Sequence, residues 1–377
     1  MHIVIAPDSY KGSLSSIEVG EAVKKGLQQA LPEATYTVIP MADGGEGTLA
    51  ALLYHLDAEK VRVTTRGPVG QNVAAVYAIH RQQGLALIES AAMVGLPLLA
   101  GSKLDPLQTT TFGLGETIRH ALDQGIRKFV VGIGGSATND GGAGLLEALG
   151  AQFFQNGHKL EDIRAKDLAN IDHVDLSALD ERIKACTFTI ASDVDNPLCG
   201  ERGASAVFGP QKGATPDTVR QLDQALRHFA RLLDPDHQWQ NKPGAGAAGG
   251  LGFAFMLLGG VLQPGAEVVA QALSMERLLD TTDLLITGEG KTDEQTRYGK
   301  APYYLAQLAK KRNIPVILLS GSLGDGYQAL FPAVDASFSI IRHPVTVEEA
   351  MSQASQWVEE AAVQIGRLLN IARGSSP

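Results

Sequence analysis

The chain has 377 residues, of which 44% are hydrophobic and 19% are charged, and its formal net charge is −9. This length predicts two domains rather than one core. The negative charge argues against nucleic acid or an anionic membrane as a partner, because both attract a basic surface. The two cysteines provide no disulfide framework and are typical of a reducing cytoplasm.

The elements predicted at the start of the chain alternate between strand and helix. Residues 2–6 are predicted as a strand, so we expect no signal peptide, which would begin with a basic and a long apolar segment. A helix follows, and Ser15 with Glu18 has the pattern of a capping box. Residues 35–39 form the next predicted strand. This alternation predicts right-handed βαβ units and a parallel sheet.

The middle of the chain has a different pattern. Short strands of alternating polarity are predicted at residues 61–65, 73–79 and 85–88. Asn156-Gly157 is a strong hairpin signal. Hairpins within a chain of βα units predict an inserted domain with an antiparallel or mixed sheet. The predicted helix 107–121 and strand 129–131 are assigned to the first domain.

Alternation of strand and helix returns toward the end of the chain. Strands are predicted at residues 284–287, 315–319 and 337–341, and helices at 301–312 and from 347 onward. These patterns together predict an α/β protein with two domains. The parallel-sheet domain comprises residues 1–62, 105–150 and 278–377, and the inserted mixed-sheet domain comprises residues 63–104 and 151–277.

The longest apolar stretch, residues 251–262, is too short to span a bilayer. We therefore expect a cytoplasmic protein without a membrane partner.

The most informative motif follows the predicted strand 129–131 and reads Gly132-Ile-Gly-Gly-Ser-Ala-Thr-Asn-Asp-Gly-Gly142. Glycine lacks Cβ, so backbone N–H groups can surround phosphate oxygens at the start of a helix. The backbone of Gly134, Gly135 and Ser136 is predicted to contact a phosphate or carboxylate group. For Asn139 and Asp140, the alternative is that one of them caps the next helix.

The first predicted strand ends in Asp8-Ser-Tyr-Lys-Gly-Ser13. Open α/β sheets bind ligands at such strand ends. Lys11 could neutralise a phosphate or a carboxylate there, although a solvated loop lysine is the alternative. Ser9 and Ser13 could bind ligand oxygens, with helix capping as the alternative for Ser13.

The second predicted strand leads into Met41-Ala-Asp-Gly-Gly-Glu-Gly-Thr48. Close backbone approach to a ligand is the simplest reason for Gly44 and Gly45. Asp43 could act in the site, or it could be a helix-capping carboxylate with Glu46 completing the box.

Asp193 and Asp195 follow a predicted strand at residues 188–191. A loop carboxylate near a substrate hydroxyl can act as a base or a positioning group in phosphoryl transfer. For Asp195 an Asx-turn is the preferred interpretation. Lys212 lies downstream, before another predicted helix.

The last motif, Thr287-Gly-Glu-Gly-Lys-Thr-Asp293, places Glu289 and Asp293 on either side of Lys291. Mg²⁺ is commonly held by one or two carboxylates together with phosphate oxygens and water. The alternative is that these acids pair with the lysine at the surface.

Two nucleotide-binding patterns are incomplete. Leu285 occupies the position at which a Walker P-loop would require its first glycine. Gly132, Gly134 and Ala137 fit a relaxed dinucleotide fingerprint, but no strand ending in an acid follows about twenty residues later. Both patterns are therefore disfavoured.

Together these motifs closely resemble bacterial glycerate kinases of the type-1 family, and the resemblance extends over essentially the whole chain. Tyr10 stands where the family usually has Phe. The segments that carry the resemblance are Ala6–Leu14, Met41–Thr48, Gly132–Gly142, Ser192–Leu198, Phe208–Gly213, Pro243–Gly250 and Thr287–Asp293.

This resemblance implies ATP-dependent phosphorylation of D-glycerate with Mg²⁺ and release of ADP, with 2-phosphoglycerate as the favoured product. It also implies a flavodoxin-like domain, a second domain built around a mixed-sheet barrel, and an active site in the cleft. We expect D-glycerate and ATP as partners, no nucleic acid, and a monomer or homodimer.

Roles within the site follow from the chemistry of phosphoryl transfer, which needs positioning and charge neutralisation. Asp193 is predicted to orient or deprotonate the glycerate hydroxyl, and Lys11 or Lys291 to offset negative charge. Asp43, Glu289 and Asp293 are the candidates for Mg²⁺. The residues predicted to bind substrate or phosphate are Asp8, Ser9, Ser13, Gly44, Gly45, Gly134, Gly135, Ser136, Thr138, Asn139, Asp140, Lys212, Gly288 and Gly290.

Two other functions stay open at this point. An NAD-dependent dehydrogenase of a small hydroxy acid would bind NAD(H) and release no ADP. A non-catalytic sugar-acid binding protein would bind glycerate and ignore ATP.

Overall fold

The computed structural model describes residues 1–45, 47–372 and 374. Glu46, the predicted capping partner of Asp43, lies outside the described residues. The described strands are β1 (His2–Pro7), β2 (Thr35–Val38), β3 (Glu59–Arg66), β4 (Asn72–His80), β5 (Leu85–Glu89), β6 (Lys128–Gly132), β7 (Gln152–Gln155), β8 (His158–Leu160), β9 (His173–Asp175), β10 (Thr187–Ala191), β11 (Val261–Gln263), β12 (Leu284–Gly288), β13 (Lys291–Thr292), β14 (Val316–Ser320), β15 (Ser322–Leu323) and β16 (Ala336–Ser339).

The described α-helices are α1 (Ser16–Ala30), α2 (Thr48–His55), α3 (Ala91–Val94), α4 (Phe112–Asp123), α5 (Ala143–Ala148), α6 (Ala204–Phe208), α7 (Pro216–Leu233), α8 (Leu251–Leu257), α9 (Gly265–Ala272), α10 (Met275–Leu279), α11 (Ala301–Lys310) and α12 (Val347–Ala372). Short 3₁₀ turns occur in several of the connections.

The first of two compact units contains residues 1–43, 50–56 and 265–377. Its main sheet has five parallel strands in the order β16-β14-β12-β1-β2, and β13 pairs with β15 in a separate two-stranded sheet. When the strands of this sheet are numbered along the chain, the order is 2-1-3-4-5, which is the order of flavodoxin-like doubly wound sheets. The parallel sheet predicted from the βα alternation is therefore present.

Helix α1 begins as the sequence predicts. Ser15 Oγ accepts a hydrogen bond from the N–H of Glu18, and Glu18 Oε2 accepts one from the N–H of Ser15, which completes the capping box. The helix packs against α12 at Gly26, where a Cβ atom would lie 2.1 Å from the backbone oxygen of Glu359. Val358 of α12 is fully buried in the same apolar cluster as β1.

The second unit contains residues 44–49 and 57–264. Its main sheet has six strands in the order β11-β10-β6-β5-β4-β3. Strands β3, β4 and β5 are antiparallel, whereas β5, β6, β10 and β11 are parallel, so the sheet is mixed as predicted. A small antiparallel sheet, β8-β7-β9, contains the predicted hairpin at Asn156-Gly157, where both residues have positive φ.

The boundaries of the two units and the shape of the mixed sheet differ from the sequence-based expectations. Residues 44–49, 57–62 and 105–150 belong to the second unit rather than to the parallel-sheet domain. Strand β3 pairs with β4, and β6 pairs with β5 and β10. Residues 265–277 belong to the first unit. Among the described residues, β3 and β11 are the two edges of the mixed sheet, so the sheet is open rather than barrel-like.

Candidate active site

The first unit brings several predicted loops to one edge of its sheet. Strands β1 and β12 are adjacent and parallel, with Pro7 opposite Gly288. The strand order reverses between them, since β2 follows β1 on one side and β14 follows β12 on the other. Doubly wound sheets bind ligands outside the carboxyl ends of the strands at such a reversal. Asp8 follows β1 and Glu289 follows β12, so both stand at this position.

Asp8 is a buried carboxylate with few partners. Its exposed fraction is 8%, and within the described residues it accepts one hydrogen bond, from the N–H of Ser9 at 2.6 Å. Burial and then the negative charge of Asp43 raise the pKa of Asp8 to about 7; Glu289 adds to the rise and Lys11 opposes it. A cation or a ligand hydrogen-bond donor would stabilise a carboxylate in this environment.

Lys11 and Asp43 form an ion pair with 3.1 Å between Nζ and Oδ2. The Lys11 side chain is 81% exposed, and the charge of Asp43 raises the pKa of Lys11. Exposed ion pairs contribute little to stability. Opening this pair would therefore cost little stability, and binding of an anionic ligand by Lys11 stays a prediction.

Two polar side chains of the same loop are engaged within the unit. Ser13 Oγ donates to the backbone oxygen of Met351 at 2.9 Å, and the Tyr10 hydroxyl donates to the backbone oxygen of Leu319 at 2.9 Å. The hydroxyl that distinguishes Tyr10 from Phe thus has a partner in the fold. Ligand binding by Ser9 and Ser13 stays a prediction.

Glu289 lies in a polar network that sequence reasoning missed. Its Oε2 accepts from Lys300 Nζ at 2.8 Å, and its Oε1 accepts from the hydroxyls of Thr296 at 2.5 Å and Thr292 at 3.4 Å. Glu289 is 6% exposed. These contacts favour a structural role over the predicted metal role, which stays a prediction. Lys300 had no signal in the sequence, because it is a single lysine outside every motif.

The two glycines beside Glu289 allow backbone segments to pack closely. A Cβ atom on Gly288 would lie 1.6 Å from the backbone oxygen of Leu319, and one on Gly290 would lie 3.1 Å from the Cα of Tyr10. The observed close approach is therefore between strands and loops of this unit. Contact of these glycines with a ligand stays a prediction.

Lys291 and Asp293 pair with each other, as the alternative interpretation expected. Lys291 Nζ lies 3.4 Å from Asp293 Oδ2, and Asp293 Oδ1 accepts from the N–H of Gln295 and caps the following 3₁₀ turn. The Lys291 side chain is 66% exposed, so it can still reach an anionic ligand.

The carboxylates of the first unit suit one kind of metal site. Among residues 1–45, 47–372 and 374, no group of three or more His, Cys, Asp or Glu side chains could hold a metal ion. Mg²⁺ needs only one or two carboxylates when phosphate oxygens and water complete its coordination. Asp8 and Asp43, whose negative charges repel each other, fit that donor set.

In the second unit the glycine loop follows β6, as predicted. Gly134 and Gly135 are exposed, and Gly135 has a φ of 74°. The next residues are buried, with Ser136 at 3% exposed and Thr138 fully buried. The accessible part of the loop is thus backbone without Cβ atoms, which an anion can approach closely.

Asp140 is fully buried and has many partners. Its carboxylate accepts from the N–H and the hydroxyl of Thr111, both at 2.7 Å, and from the N–H groups of Gly142 and Gly144, both at 3.2 Å. Two of these donors lie at the start of α5. The capping alternative therefore describes Asp140, and ligand contact by this residue stays a prediction.

Lys212 approaches the glycine loop from its buried side. It is 2% exposed, and its Nζ donates to the backbone oxygen of Thr138 at 2.6 Å and to Ser136 Oγ at 3.2 Å. Asn139 Nδ2 donates to Ser205 Oγ at 2.9 Å, which ties the loop to α6. Thr138 Oγ1 and Asn139 Oδ1 are buried without a hydrogen-bond partner among the described residues.

Gly44 and Gly45 pack at the ends of β6 and β10. A Cβ atom on Gly44 would lie 2.7 Å from the Cβ of Ala191. One on Gly134 would lie 3.1 Å from the Cα of Gly45. The observed neighbours of this glycine pair are strand ends and loop backbone, while approach to a ligand stays a prediction.

Asp193 is exposed and follows β10. Ala191 is paired with Gly132, so the segments after β10 and β6 begin side by side. Asp195, which was expected in an Asx-turn, forms an ion pair with Arg202 at 3.1 Å. The parallel strand ends thus place Asp193 on the same sheet edge as the glycine loop.

The predicted site residues therefore form two groups, one in each unit. The first unit holds Asp8, Ser9, Lys11, Ser13, Asp43, Gly288, Glu289, Gly290, Lys291 and Asp293, and the second holds Gly44, Gly45, Gly134, Gly135, Ser136, Thr138, Asn139, Asp140, Asp193 and Lys212. The predicted cleft stays a prediction.

The chain is similar to glycerate kinases over nearly its full length. The sequence profile of the glycerate kinase family matches residues 3–370. A glycerate kinase of Halalkalibacterium halodurans is 44% identical over 368 residues, which cover 96% of this chain and 97% of that protein. The glycerate 2-kinase of Escherichia coli K12 is 43% identical, with 98% of each chain covered.

A solved structure gives the same result. A crystal structure assigned to glycerate kinase 2 of Salmonella typhimurium LT2 has a TM-score of 0.89 and 44% sequence identity, and 99% of each chain is covered. Among the described helices, none combines the length and the apolar character that crossing a membrane requires.

Proposed function

The chain belongs to the glycerate kinase family, and from this premise we propose that it transfers a phosphoryl group from ATP to D-glycerate, releasing ADP and 2-phosphoglycerate. The observation that carries the proposal is the similarity to curated glycerate kinases along almost the entire chain. The choice of the 2-position follows the E. coli relative, which is a glycerate 2-kinase.

An enzyme of this family is a kinase with ATP as its co-substrate. Neither a dehydrogenase nor a non-catalytic sugar-acid binding protein has support among the family profile or the relatives described above. Those two alternatives are therefore set aside.

The residues of the first unit suit the charged end of a nucleotide. Lys11 and Lys291 are exposed cations beside carboxylates, and we assign them to offset negative charge on phosphoryl oxygens or on the substrate carboxylate. Asp8 and Asp43 are the acids that fit Mg²⁺, which when bound neutralises phosphate charge. Glu289 is assigned instead to hold its loop through Lys300.

The residues of the second unit suit a small anionic substrate. The exposed backbone at Gly134 and Gly135 offers N–H groups to a carboxylate or a phosphate. Asp193 is assigned to orient the glycerate hydroxyl or to take up its proton, because it is an exposed carboxylate on the same sheet edge. General-base assistance of this kind contributes roughly 10²–10⁴ in rate.

The proposal is tested by a coupled assay of ADP formation from Mg²⁺-ATP and D-glycerate with the purified full-length protein. Phosphorus NMR of the product then identifies the phosphorylated hydroxyl. We expect ADP formation that depends on D-glycerate and a product with phosphate at the 2-position. ADP formation without any dependence on glycerate would refute the substrate, and phosphate at the 3-position would refute the assigned hydroxyl.

A further inference from the structure

The backbone around Lys212 is held in place before its side chain makes any contact. The N–H of Lys212 donates to the backbone oxygen of Gly209 at 2.9 Å, which closes a 3₁₀ turn. Gly213 ends this turn with a φ of 93°, and a Cβ atom there would lie 2.5 Å from the backbone oxygen of Leu104. The side chain of Lys212 is therefore directed to one place by a tightly packed turn.

The ammonium group of Lys212 lacks a carboxylate in hydrogen-bond contact among the described residues. Its two acceptors, the Thr138 oxygen and Ser136 Oγ, are neutral. Asp140 is the acid whose charge acts on Lys212, but its carboxylate is already engaged by Thr111 and by two backbone N–H groups. Burial lowers the pKa of Lys212 to about 7, and Asp140 partly opposes this fall.

Burial of the charged Lys212 side chain beside neutral partners carries a desolvation penalty. Replacing buried charges by apolar side chains of similar volume is often neutral or stabilising, so packing alone would favour Met at this position. We therefore expect a binding surface near the Lys212 ammonium group that its positive charge would favour. The exposed backbone of Gly134 and Gly135 belongs to the same loop that Lys212 contacts from the buried side.

We propose that Lys212 is a positioning residue, which fixes the glycine loop through Thr138 and Ser136 and supplies positive charge beneath its exposed face for an anionic group of the substrates. The anionic group is a carboxylate or a phosphate, so it comes from D-glycerate or from ATP. This inference rests on the proposed function for the identity of those two ligands. Lys212 acts through the loop and does not itself touch the ligand.

The inference predicts a specific dependence on pH. Protonated Lys212 attracts the anion, and an anion bound to the loop stabilises the protonated form in return. As pH rises from 6.5 to 8.5, Lys212 loses its proton in the free enzyme. The ligand that the loop binds should therefore bind more weakly, with a higher dissociation constant. The other charged group that acts on Lys212 is Asp140; burial raises the pKa of Asp140, and its hydrogen bonds from Thr111, Gly144 and Gly142 oppose this rise.

The test compares the full-length protein with Lys212→Met, which keeps an unbranched side chain and removes the charge. Lys184→Met is the matched control, since Lys184 is exposed in the same unit and outside the site. Binding of D-glycerate and of ATP is measured separately by calorimetry at pH 6.5 and 8.5, together with kcat, both KM values and the urea midpoint of unfolding.

We expect Lys212→Met to bind one of the two ligands at least tenfold more weakly at pH 6.5 and to lose the pH dependence of that binding, while its urea midpoint stays equal or rises. The affected ligand identifies the source of the anion. Lys184→Met should bind both ligands as the unchanged protein does.

Unchanged binding in a folded Lys212→Met variant would overturn the inference, and so would a lowered urea midpoint with unchanged affinity, which indicates a purely structural lysine. The protein without substitutions could form no ADP while Lys212→Met binds a ligand more weakly. That result would support the inference about Lys212 and refute the kinase reaction. Failure of the unchanged protein to bind either ligand would refute both.

Discussion

Two buried aspartates, one in each unit, have opposite surroundings. Asp140 accepts four hydrogen bonds from Thr111, Gly142 and Gly144. Within the part of the chain that the structure describes, Asp8 accepts one, from its neighbour Ser9, and the negative charges of Asp43 and Glu289 disfavour its ionised form. Burial raises the pKa of both carboxyl groups, so the shift alone does not separate them. The number of described donors does separate them: Asp140 has a structural role in the fold, and ligand binding by Asp8 stays a prediction.

The same contrast extends to the loops around these residues. In the first unit, Lys11 and Lys291 are exposed and form ion pairs with the partly buried Asp43 and Asp293. In the second unit, Lys212 and Asp140 are buried, and the accessible part of the loop is glycine backbone. As proposed, the first loop set would offer side-chain charge to a ligand and the second would offer backbone N–H groups, so substitutions in the two sets should have different effects.

The largest effect is expected from Asp193, the exposed acid of the second unit. Asp193→Asn should lower kcat by roughly 10²–10⁴, because the hydroxyl of glycerate would lose its base or its orienting group. Asp195→Asn is the matched control on the same loop, where Asp195 pairs with Arg202 at the surface. Steady-state ADP formation measures both variants, and a loss below about tenfold in Asp193→Asn with intact protein would show that the role is wrong.

Removal of the structural aspartate should act on stability. Asp140→Ala leaves several buried donors without an acceptor, and each such group costs roughly 1–3 kcal/mol. We expect the free energy of unfolding to fall by at least about 3 kcal/mol, measured by urea denaturation. Asp236→Ala, on an exposed turn of the same unit, should change little. An Asp140→Ala protein that keeps its stability but loses activity would contradict the structural role assigned to Asp140.

Asp8→Asn should lower activity and leave stability intact, which is the opposite of the effect expected for Asp140→Ala. Repulsion from Asp43 and Glu289 disappears, so the free energy of unfolding at neutral pH should be unchanged or higher. Activity should fall on the order of 10²-fold, as when one preorganised electrostatic group is removed, and more Mg²⁺ should be required. Titration of Mg²⁺ at fixed ATP measures this requirement, and a wild-type Mg²⁺ dependence would remove Asp8 from the proposed donor set.

The smallest expected effect is the change in the free energy of unfolding with pH. The pKa of Lys212 falls from 10.5 to about 7 in the folded protein, so between these values the unfolded chain binds the extra proton. Stability should therefore rise with pH above 7 by about 1.4 kcal/mol per unit. Below pH 7 both states are protonated and the slope vanishes.

Lys212→Met should lack this rise, so the measurement is the difference in unfolding free energy between the two proteins at pH 7.5 and 9.5. Tyrosines and cysteines titrate in both proteins, and their effects cancel in the difference. A difference that does not change with pH would mean that Lys212 keeps its ordinary pKa.

The local pattern of the sequence predicted much of the fold. The capping box of Ser15 and Glu18, the hairpin at Asn156-Gly157 and the strand before the glycine loop are all present. Each of these depends on residues within a few positions of one another. The unit to which β6 belongs was predicted incorrectly, since a βα pattern specifies a parallel partner without identifying which strand it is.

The sequence by itself determined the family, the presence of parallel strands and the loops that carry glycines, acids and lysines at strand ends. Only the tertiary structure decided which of those groups have partners. Lys300 reaches Glu289 across eleven positions and Lys212 reaches Thr138 across seventy-four. Burial and hydrogen bonding depend on such distant contacts, whereas capping and turn preferences depend on neighbouring residues.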